Sequence, residues 1–460
     1  MNFASLKFWM LLAVGFVVLW LLRRLVKKEA LSEYDQWALF SLSLGLLAGE
    51  SLLTAGIFLY VSILSLVALK LRWGERTIGL VVVVVLLVAP LFFFKYSAFF
   101  FEVLKNGELG WKALIPMGIS FYSFQAIAMI VDSRRHPIED LRISRIFNFL
   151  GFFPQIVAGP IERTSKLMPQ IRDFVFTIRS ERLDLSLRWI VLGLFFKVVL
   201  ADNFASSLTT LVGESGDPFA VSLRIVGLGF RIYFDFAGYS FIAFGLAYML
   251  GVDLTLNFRS PYLASSPQEF WRRWHITLST WIRDYLYIPL GGSRTSKWPI
   301  VLVIVFTISG LWHGAGWNFL LWGLVHGVGL VAWRLIGARA PGGVIGWGIT
   351  QFFVFVAWLP FFTSDIVSCL ESLVVIFNPK SYYFPSLSSL LSLFDSRGDC
   401  LVFIALLSLS GLVLILEYLS EKKCQRQYSI LMRTPSCLIM IFLIVVIGST
   451  SEGEFVYFNF

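Results

Sequence analysis

The sequence predicts an all-α polytopic membrane protein. Of its 460 residues, 57% are hydrophobic and 15% are charged, whereas about a quarter of the residues in a soluble domain carry a charge. The apolar residues form long runs along the whole chain. Unbroken runs indicate membrane helices, because the strands of a membrane barrel alternate in polarity. From the run lengths we expect roughly ten to thirteen membrane helices, some of them tilted or re-entrant.

The apolar runs account for the expected helices in chain order. The run at 37–69 exceeds the roughly 20 residues of one crossing, so we expect two short helices that fold back on each other. The run at 146–158 is shorter than one crossing and is typical of a re-entrant segment. The runs are 8–22, 37–69, 78–94, 114–131, 146–158, 189–200, 221–251, 298–312, 317–333, 344–362, 401–416 and 438–448.

The first apolar run indicates the orientation of the chain. Only Lys7 precedes this run, whereas Arg23, Arg24, Lys27 and Lys28 follow it. Basic residues concentrate on the cytoplasmic side of membrane helices, and a cleavable signal peptide has its basic residues first. We therefore expect an uncleaved first helix with the N-terminus outside.

The charge and cysteine patterns exclude two classes of function. The net charge is +9, but the basic residues cluster at the ends of apolar runs, where they set topology and contact anionic headgroups rather than nucleic acid. No two cysteines form a CxxC pair and none stands near a histidine, so we expect no metal site. The cysteines are Cys369, Cys400, Cys424 and Cys437.

The polar connections are too short to form a soluble domain, and no internal repeat is visible. We therefore predict a single integral membrane domain over residues 1–460. The polar residues that are unusual for a membrane protein concentrate between about 115 and 333, which we predict to be the functional core. The flanking runs are typical of plain scaffold helices.

His313 is one of 4 histidines and lies in the motif SGLWHGAGWN between two apolar runs. An ionisable side chain at membrane depth is costly, so it is a candidate for function, and imidazole accepts a proton near neutral pH. The motif's glycines permit close approach of a helix or a ligand, and we expect Trp312, Trp317 and Trp322 to form apolar walls. The alternative is a hydrogen-bonded histidine in a glycine-rich helix contact.

The motif FWRRWHITLSTWIR at 270–283 contains the second candidate, His275. Its aromatic and aliphatic residues recur at helical spacing, which predicts one amphipathic helix at the membrane interface with arginines on the opposite side. The alternative is an amphipathic helix in which the histidine is incidental. The predicted apolar face contains Trp271, Trp274, His275, Leu278, Trp281, Ile282 and Tyr285.

A third motif, RIYFDFAGYS, places two opposite charges inside an apolar run. Arg231 and Asp235 are four residues apart, so they share a helix face and can neutralise each other. In the alternative interpretation, Asp235 lines a polar cavity together with Tyr233 and Tyr239.

Two further segments combine helix breakers with polar side chains. In IPMGISFYSFQ at 115–125, proline and glycine precede Ser120 and Tyr122, and FFPQIVAGPIER contains Gln155 in a similar setting. Broken helices at membrane depth are tolerated where they line a cavity. The alternative is a kink that binds no ligand.

Taken in order, IPMGISFYSFQ, FFPQIVAGPIER, YFDFAGYS, FWRRWHITLSTWIRDYLYIPLGG and SGLWHGAGWNF resemble the membrane-bound O-acyltransferase family. The resemblance is to the bacterial branch that contains alginate O-acetyltransferase, and more distantly to the D-alanyl transferase of teichoic acid synthesis. The matching motifs extend from 115 to 333, close to half of the chain. The resemblance implies tilted helices around a central funnel, in the bacterial inner membrane.

The resemblance also implies the chemistry. The later histidine of the family, which corresponds to His313, is expected to be catalytic, and His275 is expected beside it at the constriction. The implied donor is acetyl-CoA or another acyl thioester on the cytoplasmic side, with no tightly bound cofactor. The implied acceptor is a hydroxyl of an exported polysaccharide or other cell-envelope glycan, reached directly or through a periplasmic partner.

Nine further residues are candidates for contact with substrate, and two other functions stay open. One is D-alanyl transfer from a carrier protein in teichoic acid modification. The other is a transporter or proton-linked channel that uses charged residues and histidines as a relay, although no inverted halves are visible. The substrate candidates are Ser120, Tyr122, Gln155, Tyr233, Asp235, Tyr239, Trp274, Trp312 and Asn318.

Overall fold

The computed structural model describes residues 3, 5–105, 115–157, 159–212, 217–363, 365–382, 386–425, 427–449 and 455. Over these residues the fold is helical, and no strand longer than an isolated bridge occurs among them. Six of the helices are long and apolar enough to cross a membrane, and four shorter helices are also apolar. The predicted fold class is confirmed.

The chain divides into two compact units. Unit 1 comprises residues 1–190, 239–256 and 457–460, and unit 2 comprises 191–238 and 257–456. The prediction of a single domain over the whole chain stays a prediction. The helices that begin in unit 1 are α1 Leu6–Arg23, α2 Leu31–Glu50, α3 Leu52–Lys70, α4 Thr77–Lys105, α5 Ile119–Ser133, α6 Ile143–Gly151, α7 Thr164–Arg172 and α8 Leu183–Leu194.

Unit 2 begins in the last turn of α8 and continues through a π-helix at Phe195–Ala201, while α10 passes from unit 2 into unit 1 after Gly238. The remaining helices are α9 Asp202–Thr209, α10 Pro218–Met249, α11 Pro267–Arg273, α12 Ile276–Ile282, α13 Trp298–His313, α14 Trp317–Ile336, α15 Gly343–Ala357, α16 Leu359–Phe362, α17 Ile366–Phe377, α18 Leu387–Leu391, α19 Arg397–Cys424 and α20 Thr434–Ile447.

The long run at 37–69 divides into two helices at Ser51, as predicted. The backbone of Ser51 is extended, and its hydroxyl accepts a hydrogen bond from the Leu53 amide at 3.2 Å. Serine is a preferred N-cap because its oxygen satisfies one of the otherwise unpaired amides at a helix start. A single polar residue inside an apolar run therefore separates α2 from α3.

Buried polar side chains tie the helices of unit 1 together. The Gln36 amide nitrogen donates to the Ile171 carbonyl at 2.6 Å, and the Asn148 amide nitrogen donates to the Gln36 side-chain oxygen at 3.0 Å. Arg23, from the predicted cytoplasmic basic cluster, forms an ion pair with buried Asp35 at 2.6 Å. These bonds connect α2 with α1, α6 and α7.

In unit 2, glycines bring α13 and α14 into close contact. A Cβ atom at Gly310 would clash with the Phe319 carbonyl oxygen, and one at Gly323 would clash with the Phe306 carbonyl oxygen. At Gly327 it would lie 2.9 Å from the Val303 Cα. Small residues permit this backbone approach between membrane helices. The sequence prediction of a close approach at Gly310 is confirmed.

We predict that Gly323→Ala destabilises the protein by about 1–3 kcal/mol, because the added methyl group must push the α13 backbone away. Gly348→Ala on α15 is the matched control, since a Cβ there meets nothing within 4 Å. The control should be neutral, or more stable by up to about 1 kcal/mol because alanine favours helix. Unfolding in detergent measures both, and equal stabilities would contradict the close-packing argument.

Candidate active site

His313 is the last residue of α13, and only three residues separate it from Trp317, where α14 begins. At Gly314, within this turn, a Cβ atom would clash with the Phe319 ring. The glycine is therefore required for space, since its φ of −160° is available to any residue. His313 itself is buried, so the short turn places an imidazole inside the protein at the end of a helix.

Aromatic rings enclose His313. The ring centroids of Trp312 and Trp322 each lie 4.8 Å from the His313 centroid, and that of Phe361 lies 5.3 Å away. The expected walls at Trp312 and Trp322 are thus confirmed. The prediction for Trp317 is wrong, because its side chain at the start of α14 is 54% exposed. Three aromatic walls give His313 a largely apolar surrounding.

The segment that contains His275 is not one continuous helix, so this prediction is wrong. Helix α11 ends at Arg273, and α12 begins at Ile276. Between them His275 adopts the left-handed backbone conformation, with φ 40° and ψ 54°. Helical spacing did identify an apolar set that includes His275, and the histidine is fully buried, but the chain turns at this residue instead of continuing as one helix.

The two histidines contact the same tryptophan. The centroid of Trp312 is 6.2 Å from that of His275 and 4.8 Å from that of His313. On its other side, His275 meets the Phe236 ring edge to face at 4.6 Å. Burial lowers the pKa of His275 to about 3, so its imidazole is neutral at pH 7. The structure therefore brings His275, Trp312 and His313 together.

Two other predicted residues support this group. Trp274 is buried, stacks on Phe270 at 5.5 Å and makes a tilted ring contact with Trp358 at 4.9 Å. The Asn318 amide nitrogen donates to the Thr363 carbonyl at 3.0 Å, which ties the start of α14 to the end of α16. Both side chains have contacts that shape unit 2, and their predicted role toward substrate stays a prediction.

Tyr233 belongs to a buried polar cluster with Glu417 on α19. Its hydroxyl donates to a Glu417 carboxylate oxygen at 2.6 Å and lies 3.4 Å from the Tyr428 hydroxyl. The Ser260 amide donates to Tyr428 at 2.9 Å, and burial raises the pKa of Tyr428. This network connects α10 with α19, and the contacts are those of a structural cluster.

Asp235 forms an ion pair with Lys197 at 2.8 Å, and Lys197 also pairs with Asp202 at 2.8 Å. All three side chains are buried, and Lys197 lies in the π-helix. The spacing argument had named Arg231 as the partner, because it considered neighbours along one helix only. The observed cation comes from a segment more than 30 residues earlier in the sequence.

A family model described as the membrane-bound O-acyltransferase family, MBOAT, matches residues 57–374. The chain belongs to this family. The matched residues include His275, His313 and every predicted substrate residue. Membership of an acyltransferase family favours the enzyme over the transporter alternative.

Curated relatives of this acyltransferase modify different polymers. The peptidoglycan O-acetyltransferase of Helicobacter pylori is 32% identical over 86% of this chain and 85% of its own length. The probable alginate O-acetylase AlgI of Pseudomonas aeruginosa is 35% identical, over 64% of this chain and 58% of the relative. A teichoic acid D-alanyltransferase of Streptococcus thermophilus is 30% identical, over 47% and 56% respectively.

Four of the predicted substrate residues of this MBOAT protein lie in unit 1. Ser120 is half-buried, whereas Tyr122, Gln155 and Tyr239 are buried. Tyr239 stacks on Phe3 at 4.2 Å. Among the residues that the structure describes, neither the Tyr122 hydroxyl nor the Gln155 side-chain oxygen has a hydrogen-bond partner. Buried polar atoms are normally paired, so these two are available to a polar ligand.

The two broken segments of unit 1 lie against each other. Gly118 has a φ of 73°, and a Cβ atom there would clash with the Ile156 carbonyl oxygen. The Gln155 amide nitrogen donates to the Gln125 side-chain oxygen at 3.2 Å and lies 3.4 Å from the Phe149 carbonyl. The motifs that combine helix breakers with polar residues are therefore neighbours in space. Ala158, in the same motif, lies outside the described residues.

Sequence reasoning missed His326 and Glu417, both fully buried in unit 2 of the MBOAT protein. The His326 centroid is 4.8 Å from that of Trp322, which also contacts His313, and 5.1 Å from that of Trp271. The sequence signal for His326 was the presence of an ionisable residue inside the apolar run at 317–333. Glu417 directly follows the apolar run at 401–416. Its burial could not be predicted, because a charged residue at the end of an apolar run is usually solvated.

We predict that Lys197→Met lowers the free energy of unfolding by about 3–5 kcal/mol, because two buried carboxylates lose their cation. Lys423→Met is the matched control: Lys423 is exposed near the end of α19, so the change should stay within about 0.5 kcal/mol. Denaturant unfolding in detergent measures both. A wild-type stability for Lys197→Met would show that the pair contributes nothing to the fold.

Proposed function

We propose that this chain is an O-acetyltransferase of the bacterial inner membrane that acts on a hydroxyl of an exported polysaccharide or other cell-envelope glycan. The donor is acetyl-CoA or another acyl thioester on the cytoplasmic side. The single observation that carries the proposal is the pair of buried histidines, His275 and His313, on one tryptophan within an acyltransferase family domain. The long alignment with a peptidoglycan O-acetyltransferase favours acetyl transfer to such a glycan.

In this proposal His313 is the general base. Its neutral imidazole takes the proton of the acceptor hydroxyl while that oxygen attacks the acyl carbonyl carbon. The new carbon–oxygen bond forms, the carbon–sulfur bond breaks, and the thiol leaves with the proton that His313 releases. The surrounding rings of Trp312, Trp322 and Phe361 support this role, because an apolar enclosure keeps water from hydrolysing the thioester.

His275 is proposed to stabilise the oxyanion that develops on the acyl carbonyl. A neutral imidazole carries one N–H donor, and a fixed donor in a low-dielectric site stabilises the transition state more than the ground state. The lowered pKa of His275 supports a neutral donor at pH 7. Its position beside Trp312, which also contacts His313, supports the proposal that both histidines act in one group of side chains.

The residues of unit 1 are proposed to bind substrate. Tyr122 and Gln155 each present a buried polar atom to a ligand that carries hydroxyls or amides. Ser120 and Tyr239 are also proposed to contact substrate. The position of the basic cluster after α1 supports an N-terminus on the outer side of the inner membrane. Transfer to the glycan then occurs directly or through a periplasmic partner.

We expect His313→Ala to reduce acyl transfer by about 10²–10⁴-fold, the usual contribution of a general base. The measurement is the O-acetyl content of cell-envelope glycans from cells that carry each variant at equal membrane levels. His136→Ala is the matched control, because His136 is an exposed residue outside the site and its loss should leave transfer unchanged. Undiminished transfer by folded His313→Ala protein would overturn the assignment of the base.

The second candidate function is D-alanyl transfer, which the relative from Streptococcus thermophilus favours. Proteoliposomes that contain the protein separate the candidates when they receive labelled acetyl-CoA or a labelled D-alanyl carrier protein with a glycan acceptor. We expect label to leave acetyl-CoA in a His313-dependent reaction and the carrier to stay loaded. Discharge of the carrier alone would establish the alternative.

A further inference from the structure

Asn257 bonds to both amides that follow His275. Its backbone carbonyl accepts a hydrogen bond from the Ile276 amide at 2.9 Å. Its side-chain oxygen accepts from the Thr277 amide at 3.2 Å and from the Thr277 hydroxyl at 2.6 Å. Asn257 is 1% exposed. One buried residue, 20 positions before Thr277, therefore satisfies the first two amides of α12.

This bonding replaces a normal helix cap. The first amides of a helix lack intrahelical partners, and usually the N-cap side chain accepts from one of them. His275 occupies the N-cap position of α12, but its side chain makes no cap hydrogen bond. Its imidazole is instead directed at Phe236 and Trp312. Because Asn257 caps the helix, the histidine side chain can point toward the candidate site.

The same segment also holds the chain before His275. The Arg259 amide donates to the Arg273 carbonyl at 2.9 Å. Residues 257–259 thus bond to the last residue of α11 and to the first two residues of α12. The left-handed backbone of His275 lies between these attachments, and a non-glycine residue keeps that conformation only when its surroundings fix it.

We propose that Asn257, with Thr277, is a positioning residue for acyl transfer: it caps α12 from outside and so fixes the backbone and imidazole of His275. The inference rests on the proposed role of His275 in transfer. Asn257 acts through the histidine and needs no contact with substrate. It therefore governs the rate of the chemical step rather than substrate affinity.

The test compares Asn257→Ala and Thr277→Val with Thr280→Val in the full-length protein. Thr280 is the matched control, because its hydroxyl donates to the Thr277 carbonyl within α12, at 3.0 Å, and does not bond to Asn257 in the described part of the chain. We expect kcat to fall at least about tenfold for the first two variants, with KM unchanged, because small displacements of a catalytic group cost up to about 10²-fold. Thr277→Ser keeps the hydroxyl and should restore most of the rate, and Thr280→Val should match wild type.

A His275→Ala background separates positioning from a general folding effect. If Asn257 acts through His275, adding Asn257→Ala to His275→Ala causes no further loss of kcat. An equal loss in both backgrounds, or wild-type kcat for both Asn257→Ala and Thr277→Val, would overturn the proposal. The expected non-additivity requires that His275→Ala itself lowers kcat.

Carbethoxylation of histidine by diethyl pyrocarbonate, read by peptide mass spectrometry, gives a readout that does not depend on activity. Exposed His136 is the internal positive control, and buried His275 should react only in Asn257→Ala and Thr277→Val. If His275 becomes reactive in these variants while His275→Ala keeps full transfer, the positioning role stands and the proposed function of His275 fails. A His275 that stays protected in both variants contradicts the positioning role itself.

Discussion

The close contact between α13 and α14 is the constraint on which the candidate active site depends. Glycines at 310 and 323 allow each backbone to approach the other's carbonyl oxygens, where a Cβ would clash. The short turn between the helices then fixes His313 at the end of α13 and sets Trp322 of α14 beside it. A histidine in a loop would meet water, whereas this one is enclosed by side chains from both helices and from Phe361. The close approach of the two backbones thus gives His313 a largely apolar environment, which suits the proposed proton abstraction beside an acyl thioester.

The buried polar residues of unit 2 divide into two kinds. Lys197, Asp202 and Asp235 neutralise one another, and Tyr233 bonds to Glu417. These groups have protein partners, and removing one partner leaves a costly buried charge or acceptor. Aromatic rings are instead prominent around His275 and His313. The distinction matters for function, because the neutralised and hydrogen-bonded groups of the first kind already stabilise the fold. It also explains why Tyr233 and Asp235, although buried in a central helix, have the contacts of scaffold residues.

At His275, hydrogen bonds that stabilise the fold lie next to a side chain that contacts aromatic rings. A histidine placed at a helix start would ordinarily be free to rotate toward its own helix amides, but those amides are already bonded to Asn257. The left-handed conformation is maintained by bonds on both sides of it. Strain of this kind is often concentrated at functional sites, where the surrounding structure over-determines an unusual geometry.

By itself the sequence determined the helical membrane fold, the division of the run at 37–69, and His313 and His275 as the residues of interest. These features depend on local composition, because apolar run length and the scarcity of ionisable groups are properties of neighbouring residues. Only the tertiary structure decided that Asp235 pairs with Lys197 and that the chain turns at His275. It also decided that Trp317 is exposed and that His326 contacts Trp322. Each of these depends on a partner distant in sequence, and helical periodicity contains no information about which distant amide, charge or ring will be adjacent. The physical reason is that the partner of a buried polar group is set by which distant segments pack together, and neighbouring residues in the sequence do not specify that packing.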